Sequence, residues 1–348
     1  MKDIYSFEAE PQGAWLTVNR ACNFRCKWCY AKDTEYDSSH EMSLEMAIEL
    51  TMILKELGIS NIMLIGGEPT LWKYLKEYND FAKKIGITTT IITNAYMFGD
   101  DVYWGKYIQS PCDYCVVSIK GVTEKQLYET AGIKDIYKAK KGMERAARFH
   151  KVAGAETVCS TLTTKQDLLE IARYSRSIAA KTFLVSMCNI TLADESADDE
   201  YVVLPEENKN VIFDIYQELD EMYGSDLEIH TTLPFCIWPK DFIERLLKKK
   251  QLTTACNVHG RTGIVFDYNG DVLFCNSIYD TIVAKYKKNF MDGESLMEYL
   301  NSYELRTQYE EILRLPAECC TDCSKNAYCR GGCIANWMIM DSSICVAI

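Results

Sequence analysis

Residues 20–30 read Arg20-Ala21-Cys22-Asn23-Phe24-Arg25-Cys26-Lys27-Trp28-Cys29-Tyr30 and follow directly on the alternating segment Trp15-Leu16-Thr17-Val18-Asn19. Three thiols therefore stand at 22, 26 and 29 on a loop that leaves the end of a strand. A cubane iron–sulfur cluster takes one protein ligand per iron, so a three-thiol loop leaves the fourth iron open to a small molecule. Structural zinc sites close with four ligands, usually as two separated pairs, and neither a histidine nor a fourth cysteine lies near this loop. Cysteines often fill cores as small hydrophobes, but three at this spacing with aromatic residues between them are hard to place in one core.

Outward from the loop, short β-branched runs alternate with amphipathic stretches from about 15 to 187. The pattern predicts strands at 15–19, 61–65, 87–93, 114–119, 156–163 and 182–186. It predicts helices near 43–57, 71–85, 136–151 and 165–179, a weaker one near 100–108, and Ser43 as the first cap. Repeated strand–helix units imply an α/β fold with a parallel sheet, and six of them a partial (β/α)6 barrel. Such sheets bind ligands beyond the carboxyl ends of their strands, where the three cysteines fall. The second strand ends in Gly66-Gly67-Glu68-Pro69. Residues without Cβ let backbone approach a ligand, and the carboxylate can accept hydrogen bonds from an ammonium group. Thr93-Asn94-Ala95 and Ser118-Ile119-Lys120-Gly121 fall at the next two strand tips.

Composition narrows the function classes. At 348 residues the chain can bury a large core; 48% apolar and 25% charged residues are ordinary for a folded soluble protein. No run of about 18 apolar residues suggests a membrane span, and residues 1–10 are too acidic for a signal peptide. Sixteen cysteines without a secretion signal point to metal ligation in a reducing compartment, hence a cytoplasmic location. A net charge of −12, with only short basic runs such as Lys248-Lys249-Lys250, points away from nucleic acid. Cys112, Cys115, Cys159 and Cys188 read as core, and the four histidines are scattered.

After an acidic stretch at 192–200, read as a solvated loop, come a helix near 206–222, a short strand near 226–231 and a helix near 240–250. The chain then shows Cys256-x13-Gly270-x4-Cys275, Cys320-x2-Cys323-x5-Cys329-x3-Cys333, and Cys345. Segments 262–267 and 271–274 flank Tyr268-Asn269-Gly270, a β-hairpin signal. Seven cysteines at these spacings read as ligands, Cys319 as a spare, and the helical stretch 294–314 as scaffold.

The N-terminal loop resembles that of the radical S-adenosylmethionine (SAM) enzymes, and the C-terminal framework is similar to that family's SPASM extension, which carries two auxiliary clusters. The resemblance implies a barrel at 1–190, a joining segment at 191–250 and a small cysteine-rich α+β SPASM domain at 251–348. It implies three [4Fe-4S] clusters and S-adenosylmethionine. The open iron of the Cys22, Cys26, Cys29 cluster chelates the methionine moiety, and one electron yields a 5′-deoxyadenosyl radical that takes hydrogen from substrate. Tyr30, Gly66, Gly67, Glu68, Asn94 and Ser118 are the implied cofactor contacts; Lys120 stands where an acid is expected, and Arg145 lies too far along to serve the cofactor carboxylate. Auxiliary cluster I takes Cys256, Cys275 and Cys333. Thr262 occupies the place of a further cysteine, so its fourth iron is left to Cys236, another protein atom or substrate. Auxiliary cluster II takes Cys320, Cys323, Cys329 and Cys345.

Enzymes with this pair of modules mostly modify peptides or proteins. The implied activity is maturation of a ribosomally made precursor peptide by hydrogen abstraction and an oxidative carbon–carbon or thioether cross-link, with a flavodoxin- or ferredoxin-type reductant. Formylglycine formation in a sulfatase is the alternative, disfavoured because Asn276 stands where those enzymes place an aspartate base. A non-catalytic iron–sulfur electron carrier is the reading from another class. Only fourteen residues precede the first predicted strand. Recognition is thus expected through a separate leader-binding protein, through segment 191–250, or of a substrate without a leader.

Overall fold

The computed structural model describes residues 8–193, 196–202, 205–253, 256–312 and 318–338. Strand β1 (Gly13–Thr17) runs into the cysteine loop and on to α1 (Leu44–Glu56), whose cap Ser43 accepts from the Met46 N–H at 3.1 Å. The repeat continues through β2 (Asn61–Ile65), α2 (Leu75–Lys84), β3 (Thr88–Thr93), α3 (Asp101–Tyr107), β4 (Tyr114–Ser118), α4 (Glu124–Ala131), α5 (Ile136–Phe149), β5 (Val152–Cys159), α6 (Lys165–Ser177) and β6 (Thr182–Met187). Strands β1 to β6 lie side by side in sequence order, all parallel. Leu16, Ile62, Leu64, Ile91 and Val117 are buried, so apolar side chains along these strands build the core that the helices cover.

Two local features escape periodicity. Helix α4 is only eight residues long, too short for a helical period to stand out. Its ends are nonetheless marked, by a Thr123–Gln126 capping box and by Gly132 at φ +72°. Strand β5 begins at Val152 rather than 156 because Val152-Ala153-Gly154-Ala155 pairs with β4, and from Gly154 onward with β6 as well. At Gly154 a Cβ would lie 2.5 Å from Thr182 Oγ1, so close strand approach, not intrinsic β preference, makes this segment extended.

The sheet does not stop at β6. The acidic stretch forms a small hairpin, β7 (Thr191–Ala193) with β8 (Ser196–Asp198), where the sequence suggested a loop. After α7 (Pro205–Tyr223), β9 (Leu227–His230) adds parallel to β6, and α8 (Lys240–Lys249) follows. Beyond α9 (Asn257–Gly260), β10 (Gly263–Phe266) pairs parallel with β1 at the opposite edge. Strands β11 (Val272–Cys275) and β12 (Ile278–Ala284) complete a ten-stranded sheet of order β12-β11-β10-β1-β2-β3-β4-β5-β6-β9. Helices α10 (Gly293–Leu300), α11 (Tyr303–Ile312) and α12 (Asn326–Cys329) follow. The C-terminal hairpin therefore shares the barrel's sheet. Arg20, 1% exposed, reinforces the join by donating to Asp267 Oδ1 at 2.7 Å. Among the described residues no helix is long and apolar enough to cross a membrane.

Candidate cluster and cofactor site

The carboxyl ends of the parallel strands open into one cavity of about 350 Å³. Cys22, Cys26, Cys29 and Tyr30 line it from the loop after β1, Gly66, Gly67 and Glu68 from β2, Asn94 from β3 and Ser118 from β4. The N-terminal residues singled out in the sequence thus meet at one mouth, although several act differently from the sequence reading. The two glycines make room for the cysteine loop itself. A Cβ on Gly66 would lie 2.5 Å from Asn19 O, and one on Gly67 2.3 Å from both Arg20 O and Ala21 O. Across this gap Gly67 N–H donates to Asn19 O at 2.9 Å and Glu68 N–H to Ala21 O at 2.8 Å.

Glu68 is 1% exposed and ties strand tips together. Its Oε1 accepts from Thr70 N at 3.0 Å, Thr70 Oγ1 at 2.6 Å and Thr93 Oγ1 at 2.5 Å, while Oε2 accepts from Asn94 N at 2.8 Å. Burial raises its pKa, opposed by these donors. A carboxylate oxygen has about two lone-pair directions, so Oε2 keeps one for a further donor. Asn94 Nδ2 donates to Asn23 Oδ1 at 2.8 Å, which pins the cysteine loop to β3, and Tyr30 OH donates to Gly66 O at 3.3 Å. Ser118 relays between charges: Lys120 Nζ donates to its hydroxyl, which donates to Glu156 Oε1, both at 2.7 Å. Arg145 is committed elsewhere, to Phe98 O at 2.9 Å and to Asp101.

Burial pushes the Cys22 thiol up, and the Cys26 thiol up to about 11 despite the Lys120 ammonium, so both stay protonated when bare. Coordination to a cationic metal centre reverses that balance. Among the described residues no three Cys, His, Asp or Glu side chains converge on a single-ion site. Thiols spread along a cavity wall suit a multi-iron cluster, which takes one thiolate at each iron.

In the C-terminal part, Cys256, Cys275 and Cys333 line a second cavity of about 260 Å³. Trp15, Asn189, His230 and Asn276 belong to the walls of both cavities. The Oδ1 atoms of Asn189 and Asn276 are buried without a hydrogen-bond partner among the described residues. His259 also lines the second cavity; its Nε2 meets Gly332 O at 3.2 Å, and burial lowers its pKa to about 4. A carbonyl can only accept, so Nε2 carries the proton and Nδ1 the lone pair, likewise unpartnered among the described residues.

A third, smaller cavity gathers Cys320, Cys323 and Cys329 together with Cys319 and Cys236. Cys236, one of the alternatives for the fourth iron of the Cys256 site, lines this cavity and is not among the residues lining that of Cys256. Cys345 lies outside the described residues. Glu156 and Asn189 were not singled out in the sequence and His230 was read only as one of four scattered histidines, although each lies on or just after a strand whose end reaches the cavity. The rule that found Asn94 applies to Asn189, just after β6, and also to His230 once β9 is assigned to the same sheet.

Residues 16–175 match the model of the Radical SAM superfamily. A probable GTP 3′,8-cyclase of Sulfolobus acidocaldarius is 30% identical over 149 residues, 42% of this chain and 46% of that protein. An S-adenosylmethionine-dependent nucleotide dehydratase of Flammeovirga pacifica is 33% identical over 105 residues, 29% of this chain and 36% of that protein. The chain thus spans less than half the length of these curated relatives. Streptococcus suis SuiB bound to precursor peptide SuiA superimposes with a TM-score of 0.72 at 15% identity, covering 98% of this chain and 75% of that one. Native anSMEcpe with bound AdoMet gives 0.67 at 17%, covering 93% and 89%. At such identities the likeness is one of fold. Together with the three-cysteine loop at the barrel mouth, the family match makes residues 16–175 a radical SAM domain.

Proposed function

We propose that this chain is a radical SAM maturase of the SPASM type, acting on a precursor peptide or protein. In this reading Cys22, Cys26 and Cys29 hold one [4Fe-4S] cluster, S-adenosylmethionine occupies the cavity beside it, and the C-terminal thiols hold two more clusters. When bound, these groups supply a 5′-deoxyadenosyl radical and an acceptor for the electron released as a cross-link closes. The observation that carries the reading is the shared wall: among the described residues, Trp15, Asn189, His230 and Asn276 are common to the cavity of the three-cysteine loop and that of Cys256, Cys275 and Cys333.

The chain's own side chains position and select. Glu68 Oε2 offers a free direction to the methionine ammonium, and the amide oxygens of Asn189 and Asn276 offer acceptors to substrate N–H or O–H groups. An oxidative cross-link removes two hydrogens, one as an atom that yields 5′-deoxyadenosine and one as a proton plus an electron. Relatives named for GTP and nucleotides favour a second reading, a nucleotide substrate. Lys120 is the only Lys or Arg among the described residues lining the first cavity, with Glu156 two hydrogen bonds away. A triphosphate would find no cationic clamp there, which favours the peptide. The SuiB–SuiA complex, a likeness of fold, is consistent with that choice.

The test is anaerobic turnover of reconstituted, reduced protein with S-adenosylmethionine, using candidate peptides and GTP in parallel. We expect 5′-deoxyadenosine in wild type and none after Cys22, Cys26 and Cys29 are replaced by alanine, with a peptide product two hydrogens lighter. Conversion of GTP instead would overturn the peptide reading, and a fully loaded protein releasing no 5′-deoxyadenosine would favour an electron carrier.

A further inference from the structure

The third cavity holds two thiols that the spacing grammar does not supply, Cys319 and Cys236. We infer that Cys236 is the fourth protein ligand of the cluster held by Cys320, Cys323 and Cys329, and that Cys345 is dispensable for it. This rests on the reading that these thiols bind iron.

Cys236 and the three C-terminal thiols line the same cavity, and Cys329 has Cys236 and Cys320 as neighbouring thiols. Nor does the placement depend on one side-chain rotamer. Cys236 lies in a short 3-10 turn, Phe235–Ile237, between Pro234 and the buried Trp238, whose indole Nε1 donates to Thr231 Oγ1 at 3.1 Å. Backbone contacts stitch the segment before it to the cysteine segment. Phe235 N–H donates to Cys329 Sγ at 3.2 Å, and Cys333 N–H to Thr232 O at 2.7 Å. Asn336 Nδ2 reaches Thr232 O at 2.9 Å. A Cβ at Gly332 would lie 2.5 Å from Thr232 O and 2.9 Å from Pro234 N, so the two segments touch backbone to backbone. The N–H of Phe235 aimed at a ligating sulfur is the outer support that tunes such sites.

A cubane offers four corners, and Cys320, Cys323 and Cys329 fill three. Cys319 also lines the cavity, but it is joined to Cys320 in sequence, and adjacent thiols rarely reach two corners of one cubane. Cys236 comes from a different segment, 93 positions before Cys329, and so can approach from another side. With Cys329, which touches both cavities, assigned to this cluster, the Cys256 site is left with Cys256, Cys275 and Cys333 and a position for a non-cysteine ligand or substrate.

Two measurements on the full chain decide it. Ligating thiols resist alkylation, so wild type is treated with iodoacetamide before and after iron–sulfur reconstitution and mapped by mass spectrometry. We expect Cys236 to be labelled in metal-free protein and protected in loaded protein, and Cys345 to be labelled in both. Iron and sulfide are then counted in Cys236→Ala and Cys345→Ala. Three cubanes carry about twelve irons; Cys236→Ala should lose about a third of them and Cys345→Ala none. Protection of Cys345 with labelling of Cys236, or iron loss only in Cys345→Ala, overturns the assignment while leaving the cluster reading intact. Wild type that holds about four irons, with every C-terminal cysteine labelled in both states, would sink the cluster reading and this assignment with it.

Discussion

Replacing Gly67 by alanine should detach the cysteine loop from the sheet. The added Cβ would sit 2.3 Å from two backbone carbonyl oxygens, Arg20 O and Ala21 O, neither of which can swing away as a side chain could. Relief requires the loop to retreat by about 1 Å to reach ordinary contact distance. The Gly67 N–H to Asn19 O and Glu68 N–H to Ala21 O bonds, now 2.9 and 2.8 Å, would then exceed hydrogen-bonding range. Losing two such bonds, with their groups left in a largely buried setting, costs roughly 2–5 kcal/mol, a large share of a typical domain's ~5–15 kcal/mol. Gly105 is the internal control. It lies within α3, and nothing stands within 4 Å of where its Cβ would go, so Gly105→Ala should stabilise by about 0.5–1 kcal/mol. The assay is urea unfolding of metal-free protein, followed by iron content after reconstitution. A Gly67→Ala protein within about 0.5 kcal/mol of wild type, with normal iron loading, would refute the reasoning.

Three further outcomes follow from single contacts. Asp267→Asn strands the buried Arg20 guanidinium and should cost about 3–5 kcal/mol, whereas Arg20→Met with Asp267→Leu should cost less; a double-mutant cycle by thermal unfolding checks this, and a loss under about 1 kcal/mol in the single variant contradicts it. Glu68→Gln points an amide N–H at a donor that now faces Oε1 or Oε2, with an expected loss of about 1–3 kcal/mol and reduced cofactor binding; unchanged calorimetric affinity for S-adenosylmethionine would argue against its role at the cavity. Burial lowers the pKa of His150, whose Nδ1 faces Ala146 O and Nε2 the Tyr107 hydroxyl, both at 2.8 Å. The unfolded chain therefore takes up this proton first as pH falls, so the stability is intact above about pH 6.5 and declines below it until the folded pKa is reached. His150→Gln should flatten that slope in unfolding free energies measured from pH 7 downward, and an unaltered slope would exclude His150 as its source.

Much of the barrel was legible because its strands alternate with helices at lengths that local periodicity reports. Asn61–Ile65 is a strand in both sequence and structure, and Ser43 caps α1 as its hydroxyl chemistry suggests. The short helix α4 and the Ala-Gly start of β5 were not legible, since one is below the length that periodicity detects and the other owes its form to neighbouring strands. Glu68 and the two glycines were found at the right place for a partly different reason. Sequence shows that a carboxylate and an open backbone stand at a strand tip, whereas only coordinates show that Thr70, Thr93, Asn94 and the cysteine loop already use them.

By itself the sequence determined the local chemistry: three thiols in one loop, seven more in a C-terminal grammar, a parallel α/β sheet with its ligand side at the cysteines, and the Asn269-Gly270 hairpin. Ligand spacing and hydrophobic period are properties of neighbours along the chain, so they survive without coordinates. The tertiary structure alone decided that β10 joins β1 to make one sheet, that Asn189, His230 and Asn276 wall two cavities at once, and that Cys236 stands with Cys329. These pairings link segments far apart in the chain and are set by which backbone groups find partners and which surfaces must be buried, conditions that no short-range pattern encodes.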